Sequence, residues 1–386
     1  MIGFKSKYVS DDEICLCGSN RKYKECCKFK NDVKVNEKEK IVEIQKMFTN
    51  KKYLLKTCLY PGEQKCNKKS IHAHALQNNR ILSLISEKDH VIILNRKKKP
   101  IVIDVGKNEK EVIYLFDKES VNKATAYDCF CKEHDDKIFA PIEKSGCDFN
   151  KDNEEQKYIY AYKAFIFEYY KELSTLNGYQ KNLKRFPSMM KDKNVVSFYR
   201  NQLTKLKEFE YYKKFFDNGI INKEYKGLKT KIIELNNTIR FANFSCISPS
   251  YDLNGKRIKN IPKDKRMRRI FLTVLPTELK SYILCSYLEE DEIIYRNFLS
   301  QLNNKSLNSI LAYFNYIIPL YSDNLVISPK MWNDFSEEQQ MMLTFLANRI
   351  GKQFYIFDKA FSHCMKNASK KNIEIDYRMM KINLFQ

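Results

Sequence analysis

Hydrophobic positions recur with two different periods along this chain, and the changes of period mark out its elements. From Glu154 to about Leu176, Tyr158, Ala161, Tyr162, Phe165, Ile166, Tyr169 and Tyr170 recur three and four apart, which predicts an amphipathic helix. The aromatic stripe this produces reads as core, not as a platform for stacked bases. Helical periodicity returns from Val195 to Phe216, breaks at Asn218-Gly219 and resumes over Lys223–Asn237. Charges of alternating sign through this stretch suggest a long helical hairpin. Three runs rich in β-branched and aromatic residues follow, Arg240–Ile247, Arg269–Leu275 and Lys280–Leu288, with Pro or Gly in the gaps, and these predict strands. Helices over Asp291–Leu302, Ser306–Ile318 and Glu337–Ile350 finish the chain. Nearer the N-terminus, His90–Leu94 and Ile101–Val105 are strand-like and flank Asn95–Pro100, which predicts a hairpin, with Glu111–Phe116 as a third strand. The charged, apolar-poor segment Lys28–Lys40 reads as a tether, and a short helix with Ile41, Ile44, Gln45 and Phe48 near one face follows it. There is no internal repeat and no low-complexity segment.

Composition supports a folded protein: 386 residues, 43% hydrophobic and 13% aromatic, enough for two or three domains. A net charge of +22 points to an anionic partner, nucleic acid first and an acidic membrane surface second. Part of that charge reflects a chain heavy in Lys, Asn, Ile and Tyr throughout, as an AT-rich genome produces. No run reaches the ~18 apolar residues that span a bilayer, and Met1–Lys5 lacks the apolar stretch of a signal peptide, so the expected compartment is the cytoplasm. Ten glycines without a Gly-rich phosphate loop, and no Gly-x-Ser-x-Gly elbow, argue against nucleotide-binding and hydrolase folds built on those motifs. The basic segments Lys256–Lys259 and Lys263–Arg269 read equally as a grip on a phosphate backbone or as a solvated loop. His90 and His363 read as packing or surface residues, and Cys147, Cys246, Cys285 and Cys364 as buried thiols.

The densest chemistry is at Cys15, Cys17, Cys26 and Cys27, spaced C-x-C-x8-C-C. Four thiolates at that density can close a tetrahedral zinc site and order a segment too short to build a core. Gly18 and Ser19 supply the turn after the first pair, and Tyr23 is placed to cover the metal. The stretch resembles the SEC-C motif, the short zinc knuckle at the C-terminus of the SecA translocase that is also appended to many bacterial proteins.

A second constellation joins Cys58 and Cys66, His72-Ala73-His74, and Cys129-Phe130-Cys131-Lys132-Glu133-His134-Asp135. A knuckle pair plus Cys-x2-His at a helix start is the treble-clef arrangement, which assigns a second zinc to Cys58, Cys66, Cys131 and His134, with Cys129 as the alternative fourth ligand. The arrangement resembles the HNH, or ββα-metal, nucleases. That resemblance implies His74 as the general base that activates water, with Asp135 and His72 orienting or binding a catalytic Mg²⁺ or Mn²⁺. The chain departs from the family at Ala73, where a metal ligand usually precedes the base, and in the 56 residues between His74 and Cys131. A looser resemblance links Cys58–Glu143 to uncharacterised bacterial proteins with a SEC-C knuckle, in which Phe-Cys-x-x-His-Asp recurs.

The expected architecture is α+β: a zinc knuckle over residues 1–30, a linker and helix over 31–50, a treble-clef-like zinc domain with β insertions over 51–150, and a C-terminal region over 151–386 with helices around a small antiparallel sheet. The expected function is a zinc-binding bacterial protein that interacts with nucleic acid, with HNH-like phosphodiester hydrolysis as its activity. The alternative is a non-catalytic adaptor that docks a protein partner or the ribosome through the knuckle.

Overall fold

The computed structural model describes residues 8–36, 54–62, 66, 68–104, 110–144, 148–260, 266–348 and 351–386. The helix expected around Ile41–Phe48 lies outside them. The chain divides into two compact units, Met1–Ile71 with Asp128–Cys131 and Ile166–Asn218, and His72–Tyr127 with Lys132–Phe165 and Gly219–Gln386. The architecture is α+β, with antiparallel sheets.

In the first unit, a short helix α1 (Tyr23–Cys26) belongs to the knuckle, and two long helices make the frame. The second half of α3 (Glu154–Arg185) turns through Pro187–Lys191 into α4 (Lys193–Asn222). The two run back to back: Tyr179 stacks on Phe198 with ring centroids 4.9 Å apart, Gln180 donates to the Tyr199 hydroxyl, and Glu172 accepts from Gln202 at 2.8 Å and from Lys205 at 2.5 Å. A helical hairpin is therefore present, but it joins α3 to α4 and not Val195–Phe216 to Lys223–Asn237 as expected. Helix α4 runs unbroken through Asn218-Gly219, and Lys223–Asn237 is not its returning arm.

That segment is instead strand β7 (Leu228–Leu235) at the edge of the large sheet of the second unit. The sheet has seven strands in the order β5-β2-β11-β8-β9-β10-β7 and every pair in it is antiparallel. Its members are β2 (His90–Leu94), β5 (Phe116–Ser120), β8 (Phe241–Ile247), β9 (Ile270–Pro276), β10 (Ser281–Leu288) and β11 (Leu325–Ile327), beside β7. The expected pairing of His90–Leu94 with Ile101–Val105 does not form. Strand β2 pairs with β5 and β11, and β3 (Ile101–Asp104) pairs with β4 (Lys110–Ile113). The β insertion thus contributes two strands to the large sheet.

Both faces of that sheet are covered, which is why β8 and β9 are buried at every position. Phe241, Ile247, Leu272, Val274, Ile283 and Cys285 join a core with α5 (Glu292–Asn304) and α6 (Leu307–Tyr321). On the opposite face, the first half of α3 places Tyr160 against Phe244 and Phe165 against Phe271. Three further helices follow, α7 (Pro329–Asp334), α8 (Glu337–Asn348) and α9 (Gly351–Lys370). Ser306 and Ser328 cap α6 and α7 by accepting from backbone N–H groups three residues on. Two remaining strands, β1 (Ser70–His74) and β6 (Ala126–Cys131), form a separate pair, and β6 runs directly into α2 (Lys132–Glu143).

Candidate metal centres

The knuckle folds around its backbone before any metal is considered. Gly18 and Asn20 take the left-handed conformation, with φ of 76° and 58°, and reverse the chain between the cysteine pairs. Cys15 N–H then donates to the Arg21 carbonyl at 2.8 Å and Tyr23 N–H to the Glu13 carbonyl at 2.8 Å. The result brings the Cys15, Cys17, Cys26 and Cys27 sulfurs within 4.8 Å of one another, with all four residues buried. The Ser19 hydroxyl lies 3.0 Å from Cys26 Sγ, and Arg21 donates to the same sulfur at 3.6 Å. Burial pushes the Cys15 thiol up to about 11 and Cys27 higher still. At Cys26 burial acts the same way, but hydrogen bonds from Ser19 and the neighbouring thiols outweigh it and bring that thiol down to about 6. Four thiolates within 4.8 Å of one another repel, and a cation among them turns that repulsion into attraction. The cluster can hold a metal ion, and its all-thiol donor set is consistent with zinc.

The knuckle is docked, not loosely tethered. Its cysteines, Leu16 and Tyr23 share an apolar cluster with Leu183, Met190, Val196 and Tyr199 of the helical hairpin. Arg200, with a side chain only 6% exposed, donates to both Glu13 carboxylate oxygens at 2.7 and 2.8 Å and to the Tyr8 carbonyl. The segment read as a tether is itself anchored: Asp32 accepts from Ser188 N–H and Oγ, and Val33 N–H donates to the Arg185 carbonyl.

The second cysteine group also forms. Cys58, Cys66, Cys131 and His134 have ligand atoms all within 4.8 Å of one another, and His134, not Cys129, is the fourth member. Leu59 N–H donates to the Cys129 carbonyl at 2.8 Å, which lays Cys58 beside β6, whose last residue is Cys131. His134 follows in the first turn of α2. Burial holds the Cys58 thiol up at about 11, whereas a backbone hydrogen bond from Lys68 lowers Cys66.

His74 is the last residue of β1 and half-buried, while His72 on the same strand is exposed. The His74 Nε2 lies 3.2 Å from the Asn122 carbonyl. A carbonyl only accepts, so Nε2 carries the proton and Nδ1 is bare in the neutral ring. Burial lowers the affinity of His74 for a second proton, and Lys163 works in the same direction. Asp135 is pushed up to about 6, chiefly by burial. His74 and Asp135 both feel Lys163 and Glu143, so the four groups share one neighbourhood. Among the described residues, His72, His74 and Asp135 do not form a third metal-holding group.

Lys163 and Glu143 were not marked by the sequence reading. The signal was there: Lys163 sits four residues after Ile159 and three before Ile166, on the apolar stripe of α3, where a lysine is out of place. The basic segment before β9 turns out to be structural at its end. Arg266 and Arg268 pair with Asp291, whose side chain is fully buried. Lys256, Arg257 and Lys259 are exposed, and residues 261–265 lie outside the described ones. Cys246 and Cys285 are buried as expected, Cys364 is exposed instead, and Cys147 is outside the described residues. No helix among the described residues is long and apolar enough to cross a membrane.

Compared with known proteins, residues 13–28 match the SEC-C motif. No curated protein and no solved structure matches the chain.

Proposed function

We propose that this protein is a zinc-stapled, HNH-like phosphodiester hydrolase acting on nucleic acid, with His74 as its general base. The observation that carries this reading is the placement of His74. It ends β1, the partner of β6, and β6 passes through Cys131 into the helix bearing His134 and Asp135. A zinc held by Cys58, Cys66, Cys131 and His134 fixes the start of that helix. The Asn122 carbonyl fixes the ring tautomer, so Nδ1 faces its task as a neutral base near pH 7 and can take a proton from attacking water. We assign Asp135 to hold a divalent ion, Mg²⁺ or Mn²⁺, and His72 to orient it. Such an ion neutralises charge that builds on a phosphodiester during hydrolysis. Metal bound by a single carboxylate together with substrate phosphate is ordinary for Mg²⁺. The net charge of +22 favours the polyanionic substrate, and the expected setting is the bacterial cytoplasm.

The test is cleavage of supercoiled plasmid and of single-stranded RNA with Mg²⁺ or Mn²⁺, for wild type and His74→Ala at equal zinc content. Loss of cleavage in the variant supports the reading. Cleavage unchanged in the variant, or absent from wild type on both substrates, overturns it. The second reading is the non-catalytic adaptor, favoured by Phe29, 81% exposed two residues beyond the Cys26–Cys27 pair, and by the missing third metal group among the described residues. It predicts intact zinc sites and no cleavage.

A further inference from the structure

Thr125 holds a backbone conformation that its own side chain resists. It closes the turn Val121–Thr125, which carries the chain from β5 into β6, and its φ is +54°. A β-branched side chain in this left-handed region crowds the backbone around it, whereas glycine or asparagine adopts it at far less cost. Among the described residues, the other non-glycine residues with positive φ are Asn20, Lys88, Asp89, Lys223 and Asn372, all exposed and none β-branched. Thr125 is buried. Strain of this kind persists only where the surrounding structure over-determines it, and it collects at functional sites.

What the turn holds is the end of β1, through three consecutive residues. The Asn122 carbonyl lies 3.2 Å from His74 Nε2. Ala75 N–H donates to the Thr125 carbonyl at 2.9 Å, and Leu76 N–H donates to Thr125 Oγ1 at 3.3 Å. Ala75 and Leu76 are fully buried, so their amides are shut off from water and depend on these acceptors. The turn is anchored in its own right. Val121 N–H donates to the Asp89 carbonyl, and the Lys123 and Ala124 N–H groups donate to the carbonyl of Ser120, the last residue of β5. His74 is therefore referred, through this turn, to a strand of the large sheet. Glycine at 125 would round the turn without strain, but it offers no hydroxyl to the Leu76 amide. The turn alone gains nothing from a threonine here; the segment carrying His74 does.

We infer that Thr125 is a positioning residue of the His74 centre. Its left-handed backbone and its hydroxyl together set the end of β1, so that the His74 ring keeps Nε2 on the Asn122 carbonyl and leaves Nδ1 free to take a proton. Thr125 acts through His74 and not on a ligand. The inference rests on the proposed role of His74, but the ring position it states is measured without turnover.

The experiment uses full-length, zinc-loaded protein with ¹⁵N-labelled histidine rings, His74 being assigned through His74→Gln. NMR at pH 8 reads the tautomer of the neutral ring, and wild type shows the Nε2–H form alone at His74. Thr125→Gly raises the Nδ1–H fraction at least about fivefold, the factor that one hydrogen bond is worth. Thr125→Ser, which keeps the hydroxyl, stays within about twofold of wild type. A merely structural role moves the melting temperature of Thr125→Gly and leaves the tautomer alone. Where the glycine variant fails to fold, Thr125→Ala, which also lacks the hydroxyl, decides in its place. A His74 tautomer that is mixed in wild type, unchanged in Thr125→Gly, or shifted as far in Thr125→Ser overturns the inference. The expected tautomer shifts without nucleic-acid cleavage leave it standing while the hydrolase reading falls. Cleavage that disappears in His74→Ala, with no tautomer change in Thr125→Gly, does the reverse.

Discussion

Removing zinc from the N-terminal knuckle should unlock the turn of the helical hairpin it rests on, and the magnitudes show why. The knuckle spans sixteen residues, 13–28, and ordering each costs about 1–2 kcal/mol, so about 24 kcal/mol at the midpoint. Docking buries Leu183, Met190, Val196 and Tyr199 almost completely. At about 1.5–3 kcal/mol per side chain that contributes about 9 kcal/mol. The Arg200–Glu13 pair and the Asp32–Ser188 contacts add about 3 kcal/mol, since charge-assisted bonds at partly exposed groups are worth little more. The shortfall, about 12 kcal/mol, lies in the range that structural zinc supplies to small domains. Without metal the knuckle should therefore unfold and expose the apolar side of Leu176–Leu203. The assay is amide hydrogen exchange read by mass spectrometry, with and without a zinc chelator, and again for Cys26→Ser without chelator. Peptides covering Leu176–Leu203 should exchange at least about tenfold faster, while strand Phe241–Ile247 stays protected. Unchanged protection over Leu176–Leu203, with the knuckle zinc shown to be gone, would refute the reasoning.

Zinc added to metal-free protein at pH 7 should displace the protons of Cys15 and Cys27, because burial holds Cys15 up at about 11 and Cys27 higher. Zinc affinity should accordingly fall as pH falls, and calorimetry in two buffers of different ionisation enthalpy measures the release; buffer-independent heats would contradict it. Gly255→Ala should cost about 3 kcal/mol or more, since φ is +69° there and the new Cβ would lie 2.1 Å from the Ser362 carbonyl oxygen. Chemical denaturation of the variant checks this, and a loss below about 1 kcal/mol would rule out the clash. Asn182 is fully buried with neither side-chain polar atom paired among the described residues, so Asn182→Leu should stabilise the hairpin by about 1–3 kcal/mol, read as a raised melting temperature. A lowered melting temperature would mean that the amide has work to do.

Where the sequence could be read correctly, the determinant was local. Strands β8, β9 and β10 and helices α5, α6 and α8 lie within a few residues of the segments marked by periodicity, because their residues are buried on predictable faces. The cysteine knuckle was legible because spacing alone brings its four thiols together. The failures are non-local. Strand β7 carries Lys229 and Lys231 among apolar residues and reads as a charged helix, yet its whole length pairs with β10, about fifty residues on. Strand β2 looked like half of a hairpin with its nearest strand-like neighbour. Its partners are β5 and β11, and β11 lies more than two hundred residues away, where no local pattern reaches. Lys163 was hidden for a related reason: a single charge on an apolar stripe is noise until Glu143 is seen opposite it.

The two cysteine groups do different mechanical work, and the difference bears on which reading of the protein survives. The N-terminal set braces a hairpin from outside, through contacts that bury its apolar side against Leu183, Val196 and Tyr199, so this face is not free to dock anything else. Whatever the knuckle offers a partner must come from its other side, where Ile14 and Phe29 are exposed. The second set sits where β6 becomes α2, immediately before the residues that share a neighbourhood with His74. A purely structural zinc there needs no half-buried imidazole held through Nε2 by the Asn122 carbonyl. Under the proposed reading, loss of the second metal group through Cys131→Ser should abolish cleavage. Cys26→Ser disturbs the knuckle and the hairpin it rests on but not the segment joining β6 to α2, so it should leave cleavage measurable. Cleavage by Cys131→Ser equal to wild type would refute that reading.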